Sequence, residues 1–353
     1  MSKWGIKPSY KVDLACYCNL FFENPRGLEL HAEAHEKLIH IFTSRPDLIH
    51  FAKDILNQGI LIGCSTAAMV TLVNYDGYDI DEICRIFDDP SMNGLVKQYL
   101  IEQQAPPQLF DMFIQLSPKL SEMLRHVHGS GFPEYWRDTC LPELKARSSE
   151  LELLSEQYPV IGEVNKLLGF EKVQDSRVVV NLCKFVAPYG IGLKEGFVAD
   201  VSWKLETMVD VAVHEYIHAP FSRDRIRQMT QDLWKDPLVQ EAKSRLPASS
   251  GYHLPENFVE ENFVEGTHIY LSELLGVESD PLRYFIKHDS GSHVLSVILY
   301  DALKRGYRQD ANNIQEVVER LITEGKLAPG NIRREYEAIY AAAGLAKEHP
   351  YQR

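Results

Sequence analysis

Apolar and polar positions alternate along Tyr10 to Phe22, with Val12, Leu14, Cys16, Cys18 and Leu20 on one face; that two-residue period predicts a strand. After Asn24-Pro25-Arg26-Gly27 the period becomes helical. From Pro46 to Lys172 the pattern predicts mostly helices, with breaks at Asp76-Gly77, Asp89-Pro90, Ala105-Pro106-Pro107, Gly129-Ser130-Gly131 and Tyr158-Pro159. Two runs rich in β-branched and apolar residues, Arg177 to Val186 and Gly196 to Trp203, predict further strands, and Pro188-Tyr189-Gly190 supplies turn residues between them. Leu205, Met208, Val209, Ala212, Val213, Tyr216 and Ile217 then recur at near-helical spacing, as on a buried helix. Pro220 cannot donate to the carbonyl of Tyr216, so this helix is expected to end near His218. A charged helix-like stretch, Arg225 to Ser244, follows, and after it a partly buried helix marked by Phe263, Val264, Ile269 and Leu271. The expected fold is α+β and mainly helical. An N-terminal lobe, 1–203, carries a small sheet; a helical lobe, 204–353, follows; the two are expected to form one compact unit with a cleft between them.

The buried helix carries the chemistry. His214-Glu215-Tyr216-Ile217-His218 sets two histidines four residues apart, where they share a helix face and can both offer a ring nitrogen to one metal ion. Glu215 follows the first histidine directly, which puts its carboxylate beside a metal-bound water instead of on the metal, as a general base requires. His31 and His35 are also four apart, but the acid between them, Glu33, lies about 200° round the helix from His31 and cannot serve the same water. The neighbouring Glu36 and Lys37 mark that pair as a solvated face.

A catalytic metal of this kind takes a third protein ligand. On the later helix Glu261, Glu265 and His268 share one face, so Glu261 is the expected ligand and Glu265, one turn on, the acceptor that fixes the tautomer of a ligand histidine. A register shifted to Glu260 is the rival, but Val264 stands where its supporting acid would be. Stabilisation of an oxyanion is open to Tyr252, His253, His268, Tyr270, His288, His293 and Tyr307; His293, in the loop ahead of the apolar run Val294 to Tyr300, comes first and Tyr252 second.

Composition narrows the partners. A chain of 353 residues, 45% hydrophobic and 25% charged, can bury a substantial core. A formal charge of −13 argues against nucleic acid and anionic membrane surfaces. No apolar signal segment opens the sequence, and Gly59 to Val73 is too short to span a bilayer, so a cytoplasmic location is expected. The six cysteines, at 16, 18, 64, 84, 140 and 183, lack metal-ligand spacing and read as buried free thiols.

His214-Glu215-Tyr216-Ile217-His218 followed by Glu261-Asn262-Phe263-Val264-Glu265 resembles the gluzincins, metallopeptidases related in fold to thermolysin. Ser290-Gly291-Ser292-His293-Val294 is similar to the loop bearing a transition-state histidine in that group. The order of elements also resembles a little-characterised bacterial family of zincin-like proteins of unknown function. The resemblance implies a zincin-like fold, one Zn²⁺ per chain on His214, His218 and Glu261, and hydrolysis of a peptide or protein substrate with Glu215 as base. Two features depart from the group: Pro220 close behind the motif, and the lack of an acidic aminopeptidase signature before it. Two other readings stay open at this point, an inactive zincin-fold binding or regulatory protein and a zinc hydrolase of non-peptide amides.

Overall fold

The computed structural model describes residues 3–22, 25–57, 62–102, 108–169, 177–186, 190–218, 228–246 and 255–352, with backbone alone at 3, 25–27, 56, 57 and 62–65. The chain is α+β, mainly helical, with one small mixed sheet. It divides into two compact units, one formed by Trp4–Ser155 and Val179–Leu205, the other by Met1–Lys3, Glu156–Val178 and Glu206–Arg353.

The first unit holds most of the sheet, built from β1 (Lys3–Pro8), β2 (Arg177–Cys183), β3 (Ile191–Gly192) and β4 (Phe197–Asp200) in the order β1-β2-β4-β3. β2 and β4 run parallel, with Val180 opposite Phe197 and Cys183 opposite Asp200, and β3 returns antiparallel on β4. All four residues of β4 are buried: Phe197, Val198 and Ala199 form an apolar run, and Asp200 closes the strand with its Oδ1 accepting from the N–H of Ser202 at 2.8 Å. Gly196 enters β4 at φ 79°, and a Cβ there would overlap the carbonyl oxygen of Val179. Gly196→Ala should therefore cost about 2–4 kcal/mol through left-handed strain and the clash with backbone, read as a lower urea midpoint. An unchanged midpoint would show that the sheet has room to shift.

The predicted strand at Tyr10 to Phe22 is instead helix α1 (Tyr10–Asn19) followed by a short 3₁₀ turn, Leu20–Phe22. The reason is burial on every side: all ten residues of α1 are buried, so no polar stripe reveals a helical period. α1 packs against α2 (Ile62–Thr71) and α3 (Gln108–Gly129). Its two charged residues are satisfied inside the core. Lys11 Nζ donates to the carbonyl of Val73 at 2.6 Å. Asp13 accepts from Trp136 Nε1 at 2.7 Å and from the backbone N–H of Lys184 and Phe185 at 2.8 and 3.0 Å.

The strand that does open the chain, β1, lies before the region in which the alternation falls. Between the sequence breaks the helices run as expected, among them Ile80–Asp88, Asn93–Glu102, Leu141–Ser155 and Val160–Leu168; Ala105-Pro106-Pro107 lies outside the described residues. The charged stretch ending at Ser244 is not one helix: a 3₁₀ turn, Leu233–Lys235, precedes the helix Pro237–Ser244. Asp236 caps that helix by accepting from the N–H of Leu238 and Val239. Cys16, Cys18, Cys84, Cys140 and Cys183 are buried free thiols. No helix among the described residues is long and apolar enough to cross a membrane.

The second unit is helical around α4 (Leu205–His218), α5 (Pro255–Leu274), α6 (Pro281–Lys287) and α7 (Val294–Lys304). α5 and α7 cross closely at Gly266, where a Cβ would stand 2.8 Å from the Ser296 carbonyl oxygen and 3.0 Å from its Cα. Asn262 locks the same crossing: its Oδ1 accepts from Leu295 N–H at 3.0 Å, and its carbonyl accepts from Ser296 Oγ at 2.6 Å. Asn262 and Gly266 each follow one of the acids, so these contacts fix the face of α5 that carries Glu261 and Glu265 from one flank along its length.

Candidate metal centre

α4 brings His214 and His218 together with Nε2 atoms 3.1 Å apart. α5 places Glu261 against both, with Oε1 3.2 Å from His214 Nε2 and Oε2 3.6 Å from His218 Nε2. Ligands about 2.0–2.2 Å from a tetrahedral ion stand roughly 3.3 Å from one another. The donor set and its span fit a metal ion without rearrangement, and the three side chains are half-buried, so the position is reachable. Glu260 joins no grouping of this kind among the described residues.

Two nitrogens that close cannot both act as acceptors; in the absence of a cation, protons and carboxylates balance the centre. Burial works against a charged His214, but Glu261 and Glu265 outweigh it and hold its pKa well above the usual range. Burial likewise opposes ionisation of Glu261, yet His214 and His218 bring its pKa down to about 2. Glu215, half-buried beside this pair, moves the other way: burial raises its pKa and Glu261 adds to the rise, while His214 opposes it.

A second row of residues stands behind the histidines. Glu265, only 2% exposed, has Oε2 3.2 Å from His214 Nδ1 and 3.1 Å from His268 Nδ1. His268 Nε2 lies 2.8 Å from Asp210 Oδ1, which also accepts from Ser272 Oγ at 2.6 Å. Tyr284 Oη donates to the other oxygen of Glu265 at 2.7 Å. Desolvation opposes the charges in this row too, but the histidines hold Glu265 well below the carboxylate range, and Asp210 with Glu265 lift His268 to about 9.

Asp210, Ser272 and Tyr284 were not anticipated from the sequence. Asp210 was legible in principle, since it lies four residues before His214 on a helix otherwise apolar in that turn. Tyr284 gave no signal, because its reach to Glu265 depends on how α6 packs.

His293 sits in a different grouping. It is 1% exposed, and its Nε2 lies 3.2 Å from Asp289 Oδ2, with His288 alongside. Burial opposes a charged His293, but Asp289 raises its pKa; burial lowers that of His288. Tyr252 and His253 lie outside the described residues. His31, one of the pair set aside as a solvated face, turns its Nε2 to the carbonyl of Val186 at 2.7 Å.

No family model, curated protein or solved structure matches the chain.

Proposed function

We propose that the chain is a zinc-dependent peptidase of the gluzincin type, with a zincin-like fold, which hydrolyses a peptide or protein substrate. One observation carries the reading: two imidazole nitrogens and a carboxylate oxygen converge at ligand spacing, with a second carboxylate next in sequence to the first histidine. Imidazole with carboxylate suits zinc among the common divalent ions. His214, His218 and Glu261 would hold Zn²⁺, which when bound lowers the pKa of a water and polarises a carbonyl.

Glu265 keeps the Nδ1 proton of His214, so that Nε2 presents its lone pair to the metal. Glu215 accepts the proton of the attacking water and returns it to the leaving amine. The structural-metal alternative needs a fourth protein ligand. His268 is the described candidate, but both of its nitrogens are already engaged, by Glu265 and Asp210. Among the described residues no fourth protein ligand therefore closes the site, which supports the enzyme.

His214→Ala should bind one zinc fewer than the wild type in elemental analysis and should hydrolyse no peptide. A variant that keeps the full zinc content would overturn the assignment. A screen of short peptides beside non-peptide amides separates the peptidase from a hydrolase of other amides.

A further inference from the structure

Just ahead of α7 the chain makes a single 3₁₀ turn, His288–Gly291, in which Asp289 and Ser290 adopt φ of 43° and 59° and Gly291 follows at 74°. The turn holds the Asp289 carboxylate between two imidazoles, with Oδ2 3.2 Å from His293 Nε2 and 3.8 Å from His288 Nε2. From α5, Glu265 Oε1 stands 3.7 Å from the same His288 nitrogen. His293 is buried, and its Nδ1 has no hydrogen-bond partner among the described residues. Its hydrogen bonding is therefore made through Nε2, the atom that faces the cluster.

Two imidazole nitrogens and one carboxylate oxygen, each within 4.8 Å of the others, are the donor set and span of a cation site. We propose that His288, Asp289 and His293 bind a second divalent transition-metal ion, with Glu265 Oε1 in reach as a further donor. The chemistry selects Zn²⁺ or Co²⁺ over Mg²⁺ and Ca²⁺, which prefer oxygen ligands throughout. His288 is 40% exposed and stacks on Tyr284 with ring centroids 4.8 Å apart, so the site opens to solvent on that side. Bound to a cation through Nε2, His293 would keep its one proton on Nδ1, which is buried, so this assignment replaces the oxyanion role expected for His293 from its place before Val294. It goes beyond the peptidase reading and does not depend on it.

The test is zinc stoichiometry by elemental analysis after reconstitution, supported by titration of the metal-free protein with Co²⁺ followed by absorbance. Wild type should take up two equivalents, His288→Ala one and His214→Ala one. His288 is half-exposed, so its truncation leaves the core intact, and Asp289→Asn supplies an independent loss of the same equivalent. A single wild-type equivalent that His288→Ala keeps and His214→Ala loses overturns the second site and leaves the peptidase reading standing. A single equivalent lost in His288→Ala and kept in His214→Ala upholds the second site and overturns the first. Two equivalents that survive in both His288→Ala and Asp289→Asn also overturn the proposal, as does a wild type that takes up none.

Discussion

Glu215→Gln should keep its metal and lose peptide hydrolysis by a factor of about 10²–10⁴, the usual contribution of a positioned general base. The amide has nearly the volume of the acid, so packing between the half-buried Glu215 and its surroundings is preserved. What disappears is the capacity to take a proton. The side chain is not among those converging on the metal position, so elemental analysis should return the wild-type metal content. Glu215 must be ionised to take that proton, so the wild-type pH–rate profile should carry a rising limb set by this acid. The residual activity of the variant should lack that limb. Hydrolysis at the wild-type rate in Glu215→Gln would remove the mechanism while leaving the metal centre in place.

The second large effect concerns Asp13. Burial pushes this carboxyl up from 3.8 to about 7, against the three hydrogen bonds it receives from Trp136, Lys184 and Phe185. Its folded pKa is raised, so the native state keeps a proton that the unfolded chain releases. The associated stability is fully present below about pH 4 and is lost as pH rises through 7, on the order of 4 kcal/mol in all. In Asp13→Asn the amide cannot ionise; its oxygen can still accept from the two backbone donors, while its nitrogen cannot accept from Trp136 Nε1, a loss that is the same at every pH and so drops out of the comparison between two pH values. Urea unfolding of wild type and Asp13→Asn at pH 5 and pH 8 isolates this group from the others that titrate. The wild type should lose more stability than the variant between the two pH values, by about 2–3 kcal/mol, the part of the whole that falls in this window. Parallel losses would mean that Asp13 is already ionised at pH 5, held so by its three donors.

Asp13 also explains what could and could not be read from the sequence. Asp13, with Lys11, shaped the alternation of polar and apolar positions that predicted a strand. Inside the fold both charges are answered by groups distant in sequence, Val73 for one and Trp136, Lys184 and Phe185 for the other. No local pattern records such partners. Helix ends, by contrast, were legible because their causes are local: Asp79 caps the helix at Ile80, and Asp89-Pro90 ends it. In the metal centre, the residues that meet on two helix faces at four-residue spacing were visible in advance. Tyr284 and the cluster around Asp289 were not, since they depend on a short helix and a left-handed turn whose positions only packing decides.

The crossing of α5 and α7 bears on how the centre breathes. The N–H of Leu295, in the first turn of α7, has no partner within its own helix, and Asn262, the residue next to Glu261, supplies one. Fraying of that turn would break a bond to the ligand helix, and a sideways slip of the ligand helix would drive Gly266 and Ser296 apart. The Leu295 amide should accordingly exchange its hydrogen at the rate of global unfolding, as core elements do, in place of the faster rate of a helix end. On that footing the spacing of Glu261 from the two histidines lasts as long as the helical unit stays folded, so an ion that leaves through the solvent-facing side would find the same three donors in place when it returns.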